Sequence, residues 1–226
     1  MSVNRKIFYE RKSEMKIVHL CLGAFFPDNY SYQENMLPKF HKKQGYDVEV
    51  IASLETFDND GKTCYYSEAK RYTNENDVLV TRLNYKSPDK FYKKLKRFSE
   101  LSQALEMAKP DILFIHNVQF LDMDKVVSYL KRNKKVKVFC DNHADFTNSA
   151  KGFVSRRILH GIIWKHCAKS IEPYTTKFYG VLPARVDFLK EVYGLPEEKC
   201  ELLVMGADDD RVSQASDPAV REAVRE

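Results

Sequence analysis

No stretch of this chain approaches the roughly 18 consecutive apolar residues that a membrane-spanning helix needs. The amino terminus, MSVNRKIFYERKSEMK, is charged where an export signal requires an apolar run, so the chain is expected to stay in the cytoplasm. Paired cysteines are also missing. The five that occur, Cys21, Cys64, Cys140, Cys167 and Cys200, form no C-x-x-C and are odd in number, which argues against a disulfide framework or a zinc knuckle. Three of them lie in or beside apolar segments, as buried reduced thiols do. There is no G-x-G-x-x-G, which counts against a dinucleotide oxidoreductase, and neither a G-x-S-x-G nor a Cys/His signature of nucleophilic catalysis. No internal repeat and no low-complexity tract occurs.

What remains is enough for one sizeable core. Of 226 residues, 43% are hydrophobic and 12% aromatic. A net charge of +5 is mild, and its cations cluster in Lys90, Lys93, Lys94, Lys96 and Arg97 and again in Arg132, Lys134, Lys135 and Lys137. Each cluster reads as a solvated helix face, with a soft attraction for anionic surfaces or phosphorylated ligands; no nucleic-acid partner is expected.

Strand-length apolar runs occur at Lys16–Leu22, Val48–Ala52, Val78–Leu83, Asp111–His116, Val136–Cys140, Lys177–Val181 and Glu201–Met205. The first is apolar on both faces, as a central parallel strand is. Between them lie helical signals. Ser31-Tyr-Gln-Glu34 has the form of a capping box opening a helix to about Gln44, which Pro38 should bend. Apolar residues at three- and four-residue intervals predict helices over 90–108, 122–133 and 151–169. Residues 54–77 are polar and tyrosine-rich, expected as an irregular excursion or a short hairpin. Strands alternating with helices predict an α/β fold: a Rossmann-like, doubly wound, mainly parallel sheet with helices on both faces.

In such a sheet, ligands bind beyond the carboxyl ends of the strands. Four segments there concentrate polar chemistry: Gly23 to Asn29, His116-Asn-Val-Gln119, CDNHADFTNSA at 140–150, and Gly206 to Asp210. Two readings stand open for each. Gly23 is either a turn residue or a place where backbone N–H groups approach a phosphate. His143 is either a packed histidine or a functional one, its place just beyond a central strand making the two about equal, and His116 is a weaker case of the same. Asp208 to Asp210 reads as a solvated or capping run, and Arg185 as a structural cation. The 151–169 helix carries Phe153, Ile158, Leu159, Ile162, Ile163 and Trp164 beside Arg156, Arg157, Lys165 and Lys169. Packing on the sheet is its first reading, and contact with an anionic membrane the second.

Taken together, MKIVHLCLGAFFPDNYSYQENMLPKFHKKQGYDVEVIAS, DILFIHNVQF, VFCDNHADFTNSA and YGVLPARVDFLKEVYGLPEEKCELLVMGADDD resemble the amino-terminal domain of a family 4 type retaining glycosyltransferase of GT-B architecture, of the bacterial capsule and surface-polysaccharide type. The resemblance covers residues 15–212, with 1–14 a polar leader. It implies that Gly23 and Ala24 belong to a loop approaching the donor phosphates and that His143 contacts the donor sugar as the catalytic-site histidine. It further implies that Asp28, Asn29, Tyr30, His116, Asn117, Gln119, Asp141, Asn142 and Asp145 line the acceptor side of an inter-domain cleft. No metal and no cofactor within this chain is expected; a nucleotide-sugar is the donor, and a glycan or lipid-linked sugar the acceptor. Transfer would run without a protein nucleophile, the leaving phosphate helping to deprotonate the acceptor.

The chain departs from the family in three places. Many relatives have two glycines in the first loop where this one has Gly23 alone; Met205-Gly-Ala-Asp208 stands where they have Asn-Gly-Val-Asp; and no two glutamates are separated by seven residues, the donor-binding motif of the second domain. Asp217 and Pro218 look like the start of a helix that ends at Glu226, so residues 213–226 are expected to lead toward a missing donor-binding domain, supplied in cis or in trans. The chain alone is then expected to be inactive. Two alternatives accompany this expectation: a stand-alone glycan-binding module that docks a separate donor domain, and a metal-assisted hydrolase using His116, Asp141 and His143.

Overall fold

A computed structural model describes residues 15–58, 60–86, 93–149, 152–216 and 222. The expected leader and the helix start at Asp217 lie outside these residues. In chain order the elements are β1 (Lys16–Cys21), α1 (Gln33–Lys43), β2 (Asp47–Ala52), β3 (Glu55–Phe57), β4 (Thr63–Tyr65), β5 (Lys70–Thr73) and β6 (Leu79–Arg82). There follow α2 (Leu101–Ala108), β7 (Ile112–His116), α3 (Met123–Arg132), β8 (Lys137–Asn142), a π-helical stretch (Ser155–Trp164) running into α4 (Lys165–Ile171), β9 (Thr175–Gly180), α5 (Pro183–Glu191), β10 (Cys200–Leu202) and α6 (Asp209–Ala215).

Eight strands form one sheet in the order β10-β9-β8-β7-β1-β2-β6-β5. Every pairing is parallel except that of β5 with β6, so the predicted doubly wound sheet is what forms. The tyrosine-rich excursion resolves into a β3–β4 hairpin and the antiparallel edge strand β5. Connections run outward in both directions from β1, which makes the gap between β1 and β7 the topological switch point.

The strand pleat sorts side chains between two cores. Val18 and Leu20 of β1, Leu113 and Ile115 of β7, and Val138 and Cys140 of β8 share the larger core with α2, α3 and α4. Cys21, Val48, Val50 and Val80 form the smaller core with Phe26. His19 projects from β1 in alternation with Val18 and Leu20, so it lies on the face opposite the larger core, and it is fully buried. Each fully buried Leu, Val, Ile or Phe contributes about 1.5–3 kcal/mol, so the larger core supplies most of the stability.

Three helical expectations need correction. The Ser31–Glu34 capping box does not form: α1 begins at Gln33 with Tyr32 as its N-cap and no side-chain cap, because Glu34 is buried and turned toward His143. The helix expected over 90–108 is interrupted: residues 93–95 are helical, but Lys96 has φ 52° and the Phe98 N–H donates to the buried Asp122 carboxylate, and the helix resumes only at Leu101–Ala108, α2. Within the 151–169 segment Ser155–Trp164 is π-helical, so an apolar stripe spaced for 3.6 residues per turn does not line up on one face. Trp164 is buried, but Phe153 is 75% exposed and Ile162 63%, so these two do not pack on the sheet.

Candidate functional site

The site starts from a backbone contact. A Cβ on Gly23 would sit 2.3 Å from the Asn117 carbonyl oxygen, so the loop after β1 and the loop after β7 touch where only glycine fits. Asn117 itself takes a left-handed conformation, φ 66°, which turns the chain away at the end of β7. Beside this contact lies a cavity of about 340 Å³. Gly23, Ala24, Asn117, Gln119 and His143, all singled out from sequence, line it, together with Phe25 and Ser149 from the two polar segments noted after β1 and β8, and with Tyr32, Glu34 and Lys96, which were not expected there.

Its floor is built around Asp141 at the end of β8, which is fully buried. One carboxylate oxygen accepts from His116 Nδ1 at 2.7 Å and the other from the Asn117 N–H at 3.0 Å. Strand register puts His116 directly opposite Asp141, so the pair is fixed by the sheet rather than by loops. His143 Nε2 stands 3.5 Å from the second oxygen and 3.6 Å from Glu34 Oε1, at ion-pair distance from both. Burial works against ionisation of Asp141, but the His116 and His143 rings outweigh it and hold the acid below the usual carboxylate range. Burial likewise opposes protonation of His143, while Asp141 and then Glu34 more than offset it and raise its pKa.

Lys96 closes one wall. Its ammonium donates to the Gly23 carbonyl at 3.0 Å and lies 3.6 Å from Glu55. Burial lowers its pKa although Glu55 pulls the other way. This lysine is therefore not part of a solvated face, and its neighbour Arg97 is also engaged, 3.2 Å from the buried Asp122. Two polar atoms of the site are buried without a hydrogen-bond partner, Asn117 Oδ1 and His143 Nε2.

The other expected cleft residues are placed elsewhere. His116 is fully buried beneath the floor and does not line the cavity. Asp28 accepts from Tyr72 at 2.6 Å and Tyr66 at 2.9 Å and lies 3.5 Å from the buried Arg82, a cluster that ties the first loop to β5 and β6. Asn29 and Tyr30 line a different cavity, of about 740 Å³, with Lys39, Lys42, Lys43 and Asp210. Asn142 donates to the carbonyls of Ala144 and Arg185, and Asp145 accepts from Thr147 and Asn148 and pairs with Arg185 at 3.3 Å. Both shape the 142–148 loop, and neither lines the cavity around His143. Asp208 is the N-cap of α6 and sits 3.0 Å from Lys39, as a capping residue should.

Among the described residues no group of three His, Cys, Asp or Glu side chains could hold a metal ion, and no helix is long and apolar enough to cross a membrane. The five cysteines are free, with Cys21, Cys140 and Cys167 buried. No family model matches the chain, and no curated protein matches it. Solved structures do. Sucrose-phosphate synthase from Thermosynechococcus elongatus superposes with a TM-score of 0.57 at 12% identity, over 91% of this chain and 53% of that one. A shorter structure of the same synthase gives 0.52 at 9% identity, covering 93% of this chain and 99% of the other. A trehalose-6-phosphate synthase analysed with bisubstrate glycomimetics gives 0.50 at 12% identity, over 92% and 52%. At these identities the likeness concerns the fold alone. The chain spans about half the length of the sucrose-phosphate synthase it matches, and its fold is that of a Rossmann-like domain of the GT-B glycosyltransferase type.

Proposed function

We propose that this chain is the acceptor-side half of a retaining glycosyltransferase that moves a sugar from a nucleotide-sugar to a glycan or lipid-linked acceptor in bacterial surface-polysaccharide assembly. The observation that carries this reading is the cavity at the β1–β7 switch point, where Asn117 Oδ1 is buried without a hydrogen-bond partner beside the His143 ring, which stands at ion-pair distance from Asp141 and Glu34. A buried polar atom is rarely left so, and a ligand rich in hydroxyls would fill it. Phe25 and Tyr32 offer apolar surface for a sugar ring, and Glu34 an acceptor for its hydroxyls. In this reading the His143 ring, held between Asp141 and Glu34, donates an N–H to a sugar or phosphate oxygen and stabilises charge that develops there as the leaving group departs. Asp141 and Glu34 hold the ring, and Lys96 holds the Gly23 loop in place. The residues that would grip the nucleotide belong to a second domain, in cis or in trans, so the chain alone binds but does not transfer.

A lipid-linked acceptor is supported by the exposed segment that follows the 142–148 loop. Residues 151–169 contain five cations and no acid, and Phe153, Val154, Ile158 and Ile162 are exposed among them. Such a surface suits anionic lipid.

The test is ligand-observed NMR on the chain with a panel of glycans, lipid-free sugar phosphates and nucleotide-sugars, followed by transfer assays after adding a donor domain. Saturable binding of a hydroxyl-rich ligand that His143→Ala abolishes, with transfer only when the donor domain is present, is the expected outcome. Transfer by the chain alone, or binding indifferent to His143, would overturn the reading. Glycan binding with no transfer under any pairing would favour a stand-alone binding module.

A further inference from the structure

Behind the crevice floor, three histidines from three separate elements stand in a line. His19 lies mid-strand in β1, His41 in the last turn of α1, and His116 at the end of β7. His19 Nδ1 is 2.9 Å from His116 Nε2, and His19 Nε2 is 3.0 Å from His41 Nδ1. The rings stack, with centroids 5.1 Å apart for His19–His41 and 5.2 Å for His19–His116. His19 and His116 are fully buried, and His41 is partly exposed.

The hydrogen-bond directions are forced from one end. An ionised carboxylate only accepts, so His116 donates to Asp141 through Nδ1–H and, when neutral, must accept at Nε2. The donor to it is His19 Nδ1–H, which leaves His19 Nε2 to accept from His41 Nδ1–H. All three rings thus share one tautomer, and the only ring nitrogen not committed is Nε2 of the partly exposed His41. We propose that His41, His19 and His116 form a proton relay linking the outer part of α1 to the Asp141–His143 pair at the crevice floor.

The transfer balances. A proton taken up at His41 Nε2 makes that ring an imidazolium; its Nδ1 proton passes to His19 Nε2, and the His19 Nδ1 proton passes to His116 Nε2. The charge has moved from His41 to His116, beside Asp141, and every bond in the chain is filled before and after. Burial first, and then the neighbouring rings, lowers the pKa of His19, and burial likewise takes His41 to about 4, so these two rings rest neutral at neutral pH. The titratable groups facing it are Asp141 from β8 at its inner end and Tyr46, whose ring stands edge-on to His41, and Asp141 faces His143 in turn. Charge arriving at His116 would neutralise the Asp141 carboxylate that raises the His143 pKa. His19 and His41 are in this sense positioning residues, since neither lines the cavity.

The relay rests on this geometry and not on the identity of the ligand, so it is tested on the free chain and stands or falls apart from the proposed transferase role. In a chain labelled with ¹⁵N-histidine, long-range ¹⁵N–¹H spectra near neutral pH should show Nδ1–H tautomers for His19, His41 and His116. The His116 ring proton should exchange with water roughly tenfold more slowly in His41→Gln, which can still donate a hydrogen bond but cannot pass a proton on. An Nε2–H tautomer at any of the three, or unchanged exchange in a folded His41→Gln chain, would overturn the relay. Should that variant fail to fold, acid titration of the wild-type chain decides: one midpoint shared by the three rings supports the relay, and independent midpoints refute it.

Discussion

The two cavities differ in a way their sizes do not announce. The larger one, between α1 and α6, is rich in charge, yet its charges answer one another: Lys39 lies 3.0 Å from Asp208 and 2.9 Å from Asp210, and Lys43 2.7 Å from Asp210. The smaller one, at the switch point, keeps the buried Asn117 amide oxygen unanswered and buried ionisable groups pulled from their ordinary pKa values. Chemistry collects where the fold pays to keep groups unsatisfied or shifted, and volume alone is a poor guide to it.

Breaking that contrast most severely should be Asp141→Ala, which leaves the His116 Nδ1–H and the Asn117 N–H without their acceptor. A loss of about 3–5 kcal/mol is expected in urea unfolding, with the His143 pKa falling as its counter-charge goes. Gly23→Val should follow at about 3 kcal/mol, because the added Cβ has to displace backbone 2.3 Å away. Gly206→Ala, where nothing lies within 4 Å, serves as its near-neutral control. The same unfolding experiment shows neither effect if the two loops simply part without cost.

Acid sharpens the contrast further. The half-buried His41 and the buried His160 are held neutral with pKa values lowered to about 4, so between the ordinary histidine value of about 6.5 and 4 the unfolded chain binds protons that the native chain does not. Stability should therefore fall as pH drops through that window. His143 acts in the opposite sense: its raised pKa gives stability that is full below about 6.5 and is lost as pH rises through the folded value. Stability curves for His160→Gln and His143→Gln should thus shift in opposite directions, and a common direction would contradict the placements. The smallest effect is expected at the larger cavity. Lys43→Ala, half-exposed like its partner, should behave as a surface ion pair, with a weak change that salt suppresses and with ligand binding at the switch point unaltered. On the apolar flank, Ile162→Ser with Arg157→Glu should lower co-sedimentation with vesicles containing anionic lipid while sparing sugar binding.

The sheet was legible because its inner strands are buried on both faces and read as continuous apolar runs. β1, β2, β7 and β8 lie within a residue or two of their expected bounds. β10 was read too long, to Met205, because Val204 and Met205 are apolar but exposed, 73% and 52%. The site was legible only as far as strand ends go. Gly23, Asn117 and His143 follow strands and announced themselves, whereas Asp28, Asn142 and Asp145 have the same loop chemistry and spend it on the fold. His19 and His41 were hidden for a different reason: their partners lie 97 and 22 residues away, and no local period encodes such a pairing. A histidine inside the apolar run KIVHLC was the one available signal, since a buried imidazole must find partners somewhere. Lys96 gave no signal at all, sitting among lysines that look alike until the chain turns at its positive φ.

The Gly23–Asn117 contact also has a meaning for anyone who would re-engineer this protein. Because two main chains meet there, the spacing of the two loops is set by backbone thickness and cannot be widened or narrowed by exchanging side chains around it. Phe25, Tyr32, Gln119 and Ser149 can be varied to recontour the walls, and the floor beneath them will keep its gauge.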